Sequence, residues 1–174
     1  MIDIVFPSGN EEEFIQMARR VGISKLCFLY TSVPVKTSFD FPVMTGLLCD
    51  EKNIQQMRGK ADLLFIRSAS RTVLEQSAVD CVFGLEETGK DYLHQRGSGF
   101  DHIMASVCAE KNITVVFDLS LLRRKPDVWM RMKQNMRLCK KYEVQMRVAS
   151  FAKTPHQMIS IVSLSAVEKE LMQK

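Results

Sequence analysis

The sequence predicts an α/β fold: a small or incomplete TIM-type (β/α) barrel. Three observations lead there. Short apolar runs alternate with amphipathic helical stretches along the chain. Those runs are continuously apolar, as strands of a parallel sheet covered by helices are, instead of alternating with polar residues. Seven such units recur about every twenty residues, which suits a barrel better than an open sheet. At 174 residues the chain falls short of the roughly 250 of a full eight-fold barrel, so a trimmed one is expected. A single barrel domain spanning 1–174 follows.

The elements follow in order. Residues 2–6 (IDIVF) read as a buried strand, and 11–21 as a helix with Phe14, Ile15, Met17, Ala18 and Val21 on one side. The next strand is KLCFLY, 25–30. TSVPVKTSFDFP holds two prolines and little periodicity, so it reads as loop. VMTGLLC (43–49) is a third strand despite Gly46, followed by a short helix near 51–57, a strand at 62–67, a helix at 71–76 and a strand at 79–84. A charged loop, EETGKDYLHQRGSG, leads into a helix over 99–110, with Ser98 and Asp101 spaced as a capping box at its start. ITVVFDL (113–119) is the cleanest strand. The loop LLRRKP ends at Pro126, suited to a first helical turn, and the long helix then runs to about Tyr142. Residues 144–150 form a seventh strand, Pro155 opens a C-terminal helix, and a last short one covers about 165–172.

Composition is that of an ordinary globular chain: 46% apolar, 25% charged. No apolar run approaches the roughly 20 residues of a membrane span. The start, MIDIVFPSGNEEE, lacks the basic and apolar regions of a secretory signal, so a cytoplasmic location is expected. Cys27, Cys49, Cys81, Cys108 and Cys139 are odd in number, widely spaced and without a CxxC pair; they read as small buried hydrophobes in a reducing compartment. Charge is uneven. Between Arg123 and Lys153 ten Lys or Arg stand against Asp127 and Glu143, a local +8; the whole chain is +4, so the remainder is −4. Such asymmetry points to an acidic partner, nucleic acid first, against the plain alternative of a solvated helix face.

Enzyme motifs are missing. No GxGxxG follows the first strand, and there is no GxxxxGK[ST], GxSxG, H-x-H or HExxH. His94, His102 and His156 are too dispersed for a metal cluster. Asp62 and Asp80 fall near strand starts, the stabilising end of a barrel; only Asp118 falls at the end where barrels keep their sites.

The segment WMRMKQNMRLCKKY (129–142) carries the most information. On a helical wheel Trp129, Met132, Met136, Leu138, Cys139 and Tyr142 form a broad core arc. Lys133, Arg137, Lys140 and Lys141 gather on the other side with no acid among them, and their repulsion would be relieved by an acidic partner, although cations near a helix C-terminus also suit its dipole. Arg131 and Asn135, four apart, stack within the apolar arc. Left unpaired there they would cost on the order of 1–3 kcal/mol each, so partners at a barrel rim are expected. In the preceding helix Phe100, Ile103, Met104, Val107 and Cys108 make the core stripe, and His102 points away from it.

GFDHIMA (99–105), NITVVFDLSLL (112–122) and R-x-x-x-N-x-R-L-x-x-K-Y (131–142), in that order and spacing, resemble the ribonuclease P p30 family, whose archaeal form is protein component 3. VAS (148–150) and Pro155 fit as well, and DLLFIR, Arg71, Glu75 and Val79–Asp80 resemble the family's upstream strand–helix segment. The resemblance is specific from about Asp62 to Met158 and weaker over the first sixty residues. It implies a barrel related to the polymerase and histidinol phosphatase superfamily of metal phosphoesterases. That superfamily carries H-x-H at the end of its first strand, where Val5 and Pro7 would align, so a lost metal site and no bound cofactor are implied. A mid-strand carboxylate common in the family is replaced by Val116, with Asp118 nearby.

The function implied is that of a noncatalytic protein subunit of ribonuclease P. The RNA subunit, with its Mg²⁺, removes the 5′ leader from precursor tRNA. The resemblance further implies pairing with the small RRM-like component 2 and only indirect contact with precursor tRNA. Arg123, Arg124, Lys125, Lys133, Arg137, Lys140 and Lys141 are the expected phosphate- or partner-facing cations, positioning backbone and not reading bases. Arg71, His102, Asp118, Arg131 and Asn135 are the polar candidates at the barrel rim. Two other readings are a small barrel phosphoesterase with an unrecognised metal site, and a protein–protein scaffold whose basic helix faces an acidic subunit.

Overall fold

A computed structural model describes residues 1–35, 37–76, 78–87, 91–92 and 95–172 of the chain. Seven parallel strands form one sheet in the order β1 (Ile2–Val5), β2 (Lys25–Tyr30), β3 (Val43–Cys49), β4 (Leu63–Arg67), β5 (Cys81–Phe83), β8 (Thr114–Asp118) and β9 (Met146–Ala149). Each strand pairs with the next in sequence within this set, which is the topology of a barrel. β1 meets the segment just after β9 through an isolated parallel bridge, Val5 to Ala152, and a Phe6 N–H to Ala152 carbonyl bond of 2.8 Å. The barrel is therefore nearly closed with one strand fewer than eight.

The seam between β1 and β9 is completed by a side chain. Asp3, fully buried, accepts from the Ser150 amide through Oδ1 and from the Ser150 hydroxyl through Oδ2, both at 2.7 Å. Two more carboxylates fasten neighbouring strands at their starts: Asp62 accepts from the Thr45 amide and Asp80 from the Leu64 amide, each at 2.7 Å. These satisfy backbone donors that the slanted parallel ladder leaves over at its ends.

Strand side chains alternate between two cores. Ile4, Cys27, Leu29, Phe65, Phe83, Val116, Ala149 and Phe151 fill the barrel interior. Val5, Leu26, Phe28, Val115 and Phe117 face outward onto the helices. Gly46 in β3 faces inward: a Cβ there would stand 2.8 Å from the Phe65 ring and 3.1 Å from the Cys27 sulfur, so the strand needs glycine to admit the ring. Burying a ring the size of Phe65 stabilises by roughly 1.5–3 kcal/mol.

The covering helices are α1 (Glu11–Val21), α2 (Ile54–Met57), α3 (Arg71–Gln76), α4 (His102–Glu110), α5 (Leu119–Arg124), α6 (Val128–Lys141) and α7 (Ile161–Met172). Most element positions match the hydrophobic pattern, and four differ. First, α4 is capped by Asp101, whose Oδ1 accepts from the Met104 amide at 2.8 Å; Ser98 instead donates to the Phe100 carbonyl, so the capping box starting at Ser98 is not formed. Second, the LLRRKP segment is largely helical. Asp118 caps α5 by accepting from the Ser120 amide at 2.7 Å, and Pro126 lies between two helices. Third, the charged loop after β5 holds a 3-10 turn, Leu85–Glu87, and a short antiparallel ribbon of β6 (Asp91–Tyr92) and β7 (Gln95–Arg96). Fourth, Pro155 opens only a 3-10 turn, Pro155–Gln157, and α7 begins earlier than expected because Ser160 Oγ accepts from the Ser163 amide at 3.2 Å.

Candidate functional site

The C-terminal strand ends open into a cleft of 680 Å³. Its floor is aromatic: Phe83 and Phe151 stack with centroids 4.7 Å apart, and Phe6 lies 6.0 Å from Phe151. Both arginines at its rim are engaged locally. Arg67 binds Glu87. Arg124 stands 3.6 Å from Asp118 and donates to Ser120 Oγ at 3.2 Å. Burial pushes the Asp118 carboxyl above the usual range, against the hydrogen bonds from Ser120 and the nearby Arg124 charge.

Among the described residues, this mouth offers no phosphoesterase ligand set. Val5 belongs to the helix-facing core, and the inward-facing neighbours in the same segment are Ile4 and Phe6. Neither alignment of an H-x-H pair, on Val5 and Pro7 or on Ile4 and Phe6, supplies a ligating atom. Val116 faces inward and is apolar, while Asp118, two residues on, serves as the α5 cap. Among the described residues no three His, Cys, Asp or Glu converge as ligands. His94 lies outside the described residues.

Beside the mouth, α6 carries the polar pair that its apolar arc made conspicuous. Asn135 is fully buried, and its amide donates to the Ser98 carbonyl at 3.0 Å. Arg131, half-buried one turn earlier, donates to the Glu86 carbonyl at 3.2 Å. Both therefore bind backbone, at the two ends of the segment that runs from β5 to α4. The Glu86 and Ser98 carbonyls lie in this connection and not at strand ends. Among the described residues, Asn135 Oδ1 and Glu86 Oε1 find no hydrogen-bond partner although both are buried.

The expected cations divide into two groups. α5 and α6 lead from the C-terminal end of β8 back toward the start of β9, so Arg123, Arg124 and Lys125 lie near the mouth and Lys140 and Lys141 at the far end, roughly 20 Å away along the helix. Lys133 is half-buried between them; Arg137, Lys140, Lys141 and Lys125 are exposed. Arg123 donates to the Gln157 carbonyl at 2.9 Å, which commits it to holding the turn before α7. Lys141 lies over the Tyr142 ring, 5.5 Å from its centroid. The result is a basic stripe, not a single patch. Of the remaining candidates, Arg71 pairs with Glu75 on its own helix at 2.6 Å, and that helix packs beside α4. His102 is exposed at the start of α4, in a shallow depression it shares with Gln134 and Leu138.

Two structurally central polar residues were not singled out by pattern. Asp3 had a signal, a carboxylate inside an otherwise apolar strand. Glu86 had none, because burial of a glutamate in a charged loop follows only from tertiary packing.

Fold and site together define a TIM-type (β/α) barrel with an aromatic floor at its mouth and a basic stripe along one flank. Comparison with known proteins sharpens this. The chain is similar to ribonuclease P protein component 3 of Methanococcoides burtonii, 24% identical over 94% of this chain and 77% of that protein. It superposes on a chain in a cryo-EM structure of archaeal ribonuclease P with mature tRNA, with a TM-score of 0.78 and 17% identity over 99% of this chain and 83% of that one. Histidinol phosphate phosphatase of Lactococcus lactis, solved with zinc, L-histidinol and phosphate, shares the fold at a TM-score of 0.61 and 8% identity, over 99% of this chain and 94% of that one. No family model matches the sequence.

Proposed function

We propose that the chain is a protein subunit of ribonuclease P, supporting RNA-catalysed removal of the 5′ leader from precursor tRNA. The observation that carries this reading is the similarity to component 3 across nearly the whole chain. The aromatic floor of the mouth supports a noncatalytic role, with Mg²⁺ chemistry residing on the RNA subunit. The protein contributes a rigid body whose exposed Arg137, Lys140, Lys141 and Lys125 neutralise RNA phosphates, letting RNA segments pack closely. Arg131 and Asn135 act indirectly, by fixing the connection between β5 and α4. Beyond the RNA subunit, the small RRM-like component 2 is the protein partner in this reading.

Reconstitution tests it. The RNA subunit and component 2 should cleave precursor tRNA at lower Mg²⁺ when this chain is added. The chain alone, with Mg²⁺ or Mn²⁺, should be inert. Cleavage by the chain alone would overturn the reading in favour of a barrel phosphoesterase.

A further inference from the structure

We propose that the N-terminal mouth of the barrel, opposite the aromatic floor, is a binding site for a small amphiphilic carboxylate. A cavity of 510 Å³ opens there, within the size range that holds a small ligand. Its inner wall is apolar, built from Ile4, Cys27, Leu63, Phe65 and Val116.

The outermost layer is different. Lys25, Thr114 and Arg147 precede the inward-facing Cys27, Val116 and Ala149 by two residues, so each occupies an inward strand position. All three line the cavity. Closed barrels fill such positions with branched apolar residues. Here two of them are cations, from β2 and β9, and neither is in an ion pair among the described residues. On the cavity's thiols each cation opposes a carboxylate, Lys25 against Asp62 at Cys27 and Arg147 against Asp80 at Cys81.

Two carboxylates share this end. Asp80 lines the cavity and accepts from the Leu64 amide, and Asp62 accepts from the Thr45 amide and hydroxyl. Both are thus held against the sheet's own donors, whereas the ammonium and guanidinium have donors to spare. An apolar body inside the barrel, with its carboxylate on Lys25 and Arg147, satisfies both halves of the site. The nearly closed seam favours this arrangement: its backbone bridge, Val5 to Ala152, lies beyond the end of β9, and the cavity is bounded by Ile2 on β1 and Arg147 on β9.

The test uses the full chain with decanoate as probe, competing against 8-anilinonaphthalene-1-sulfonate fluorescence. Decanoate should displace the dye, decyltrimethylammonium should not, and Arg147→Glu should weaken decanoate by about tenfold with unchanged thermal stability. Decanol affinity should not respond to that substitution. Methyl NMR locates the event: decanoate should shift Ile2 and Ile4 and leave Ile161, on α7, in place. Absence of displacement at millimolar decanoate, indifference to Arg147→Glu, or shifts confined to Ile161 would each overturn the proposal.

Discussion

Glu86 carries its carboxyl into the protein beneath the turn that follows β5, only 1% exposed, and burial pushes its pKa from 4.5 up to about 7; Asp118 and Glu87 push the same way. A carboxyl whose native pKa lies above its unfolded value holds its proton more tightly when folded. Stability is therefore lost as pH rises from about 4.5 through about 7, and stays lost above it. Glu86→Gln should remove that dependence. The variant should exceed the native protein at pH 8 by as much as about 3 kcal/mol, with the gap closing by pH 5 in urea melts. A gap that does not shrink at pH 5 would assign the effect to something other than this titration. Asn135 poses the related question of a polar group in a core. Its neighbours in sequence predicted burial and the need for a partner, yet the partner, the Ser98 carbonyl, lies 37 residues away and is set by packing alone.

At the scale of the element, α6 was largely legible. Met132, Met136 and Cys139 are buried, Arg137, Lys140 and Lys141 are exposed, and Arg131 and Asn135 sit where the wheel put them. What the wheel could not supply was the helix's surroundings. LLRRKP read as loop because six residues are too few for periodicity, and the Asp118 cap that creates α5 also ends the preceding strand. That extra turn carries Arg123 to the Gln157 carbonyl and removes it from the free cations. Arg137→Glu with Lys141→Glu should leave the fold intact, because both side chains are solvated. RNA affinity should drop by about tenfold or more at low salt, with a shallower dependence on salt concentration, since each lost phosphate contact lowers the slope by about one. Filter binding across a salt series reads both quantities. An unchanged slope, with binding to component 2 impaired instead, would make α6 a protein-facing element.

For the whole molecule, the βα alternation identified the barrel because continuous apolar strands leave few other arrangements. The number of barrel strands was legible too. The manner of closure was not: a seam held by one bridge and one carboxylate depends on geometry between residues 3 and 150 that no local pattern encodes. Asp3→Ala should strand the buried Ser150 amide and hydroxyl and cost about 1–3 kcal/mol, seen as a lower urea midpoint with a similar transition slope. A midpoint equal to that of the native protein would show the seam to be held by packing alone.

That clasp also has a meaning in time. Ser150 leaves the ribosome 147 residues after Asp3, an interval of roughly 7–30 s at ordinary elongation rates. Throughout that interval β1 can pair on its β2 side while its other edge waits, with a carboxylate at the place where a neighbouring apolar strand would otherwise add itself. A charge inside an apolar strand thus discourages premature partners during synthesis and then becomes the latch that admits the proper one.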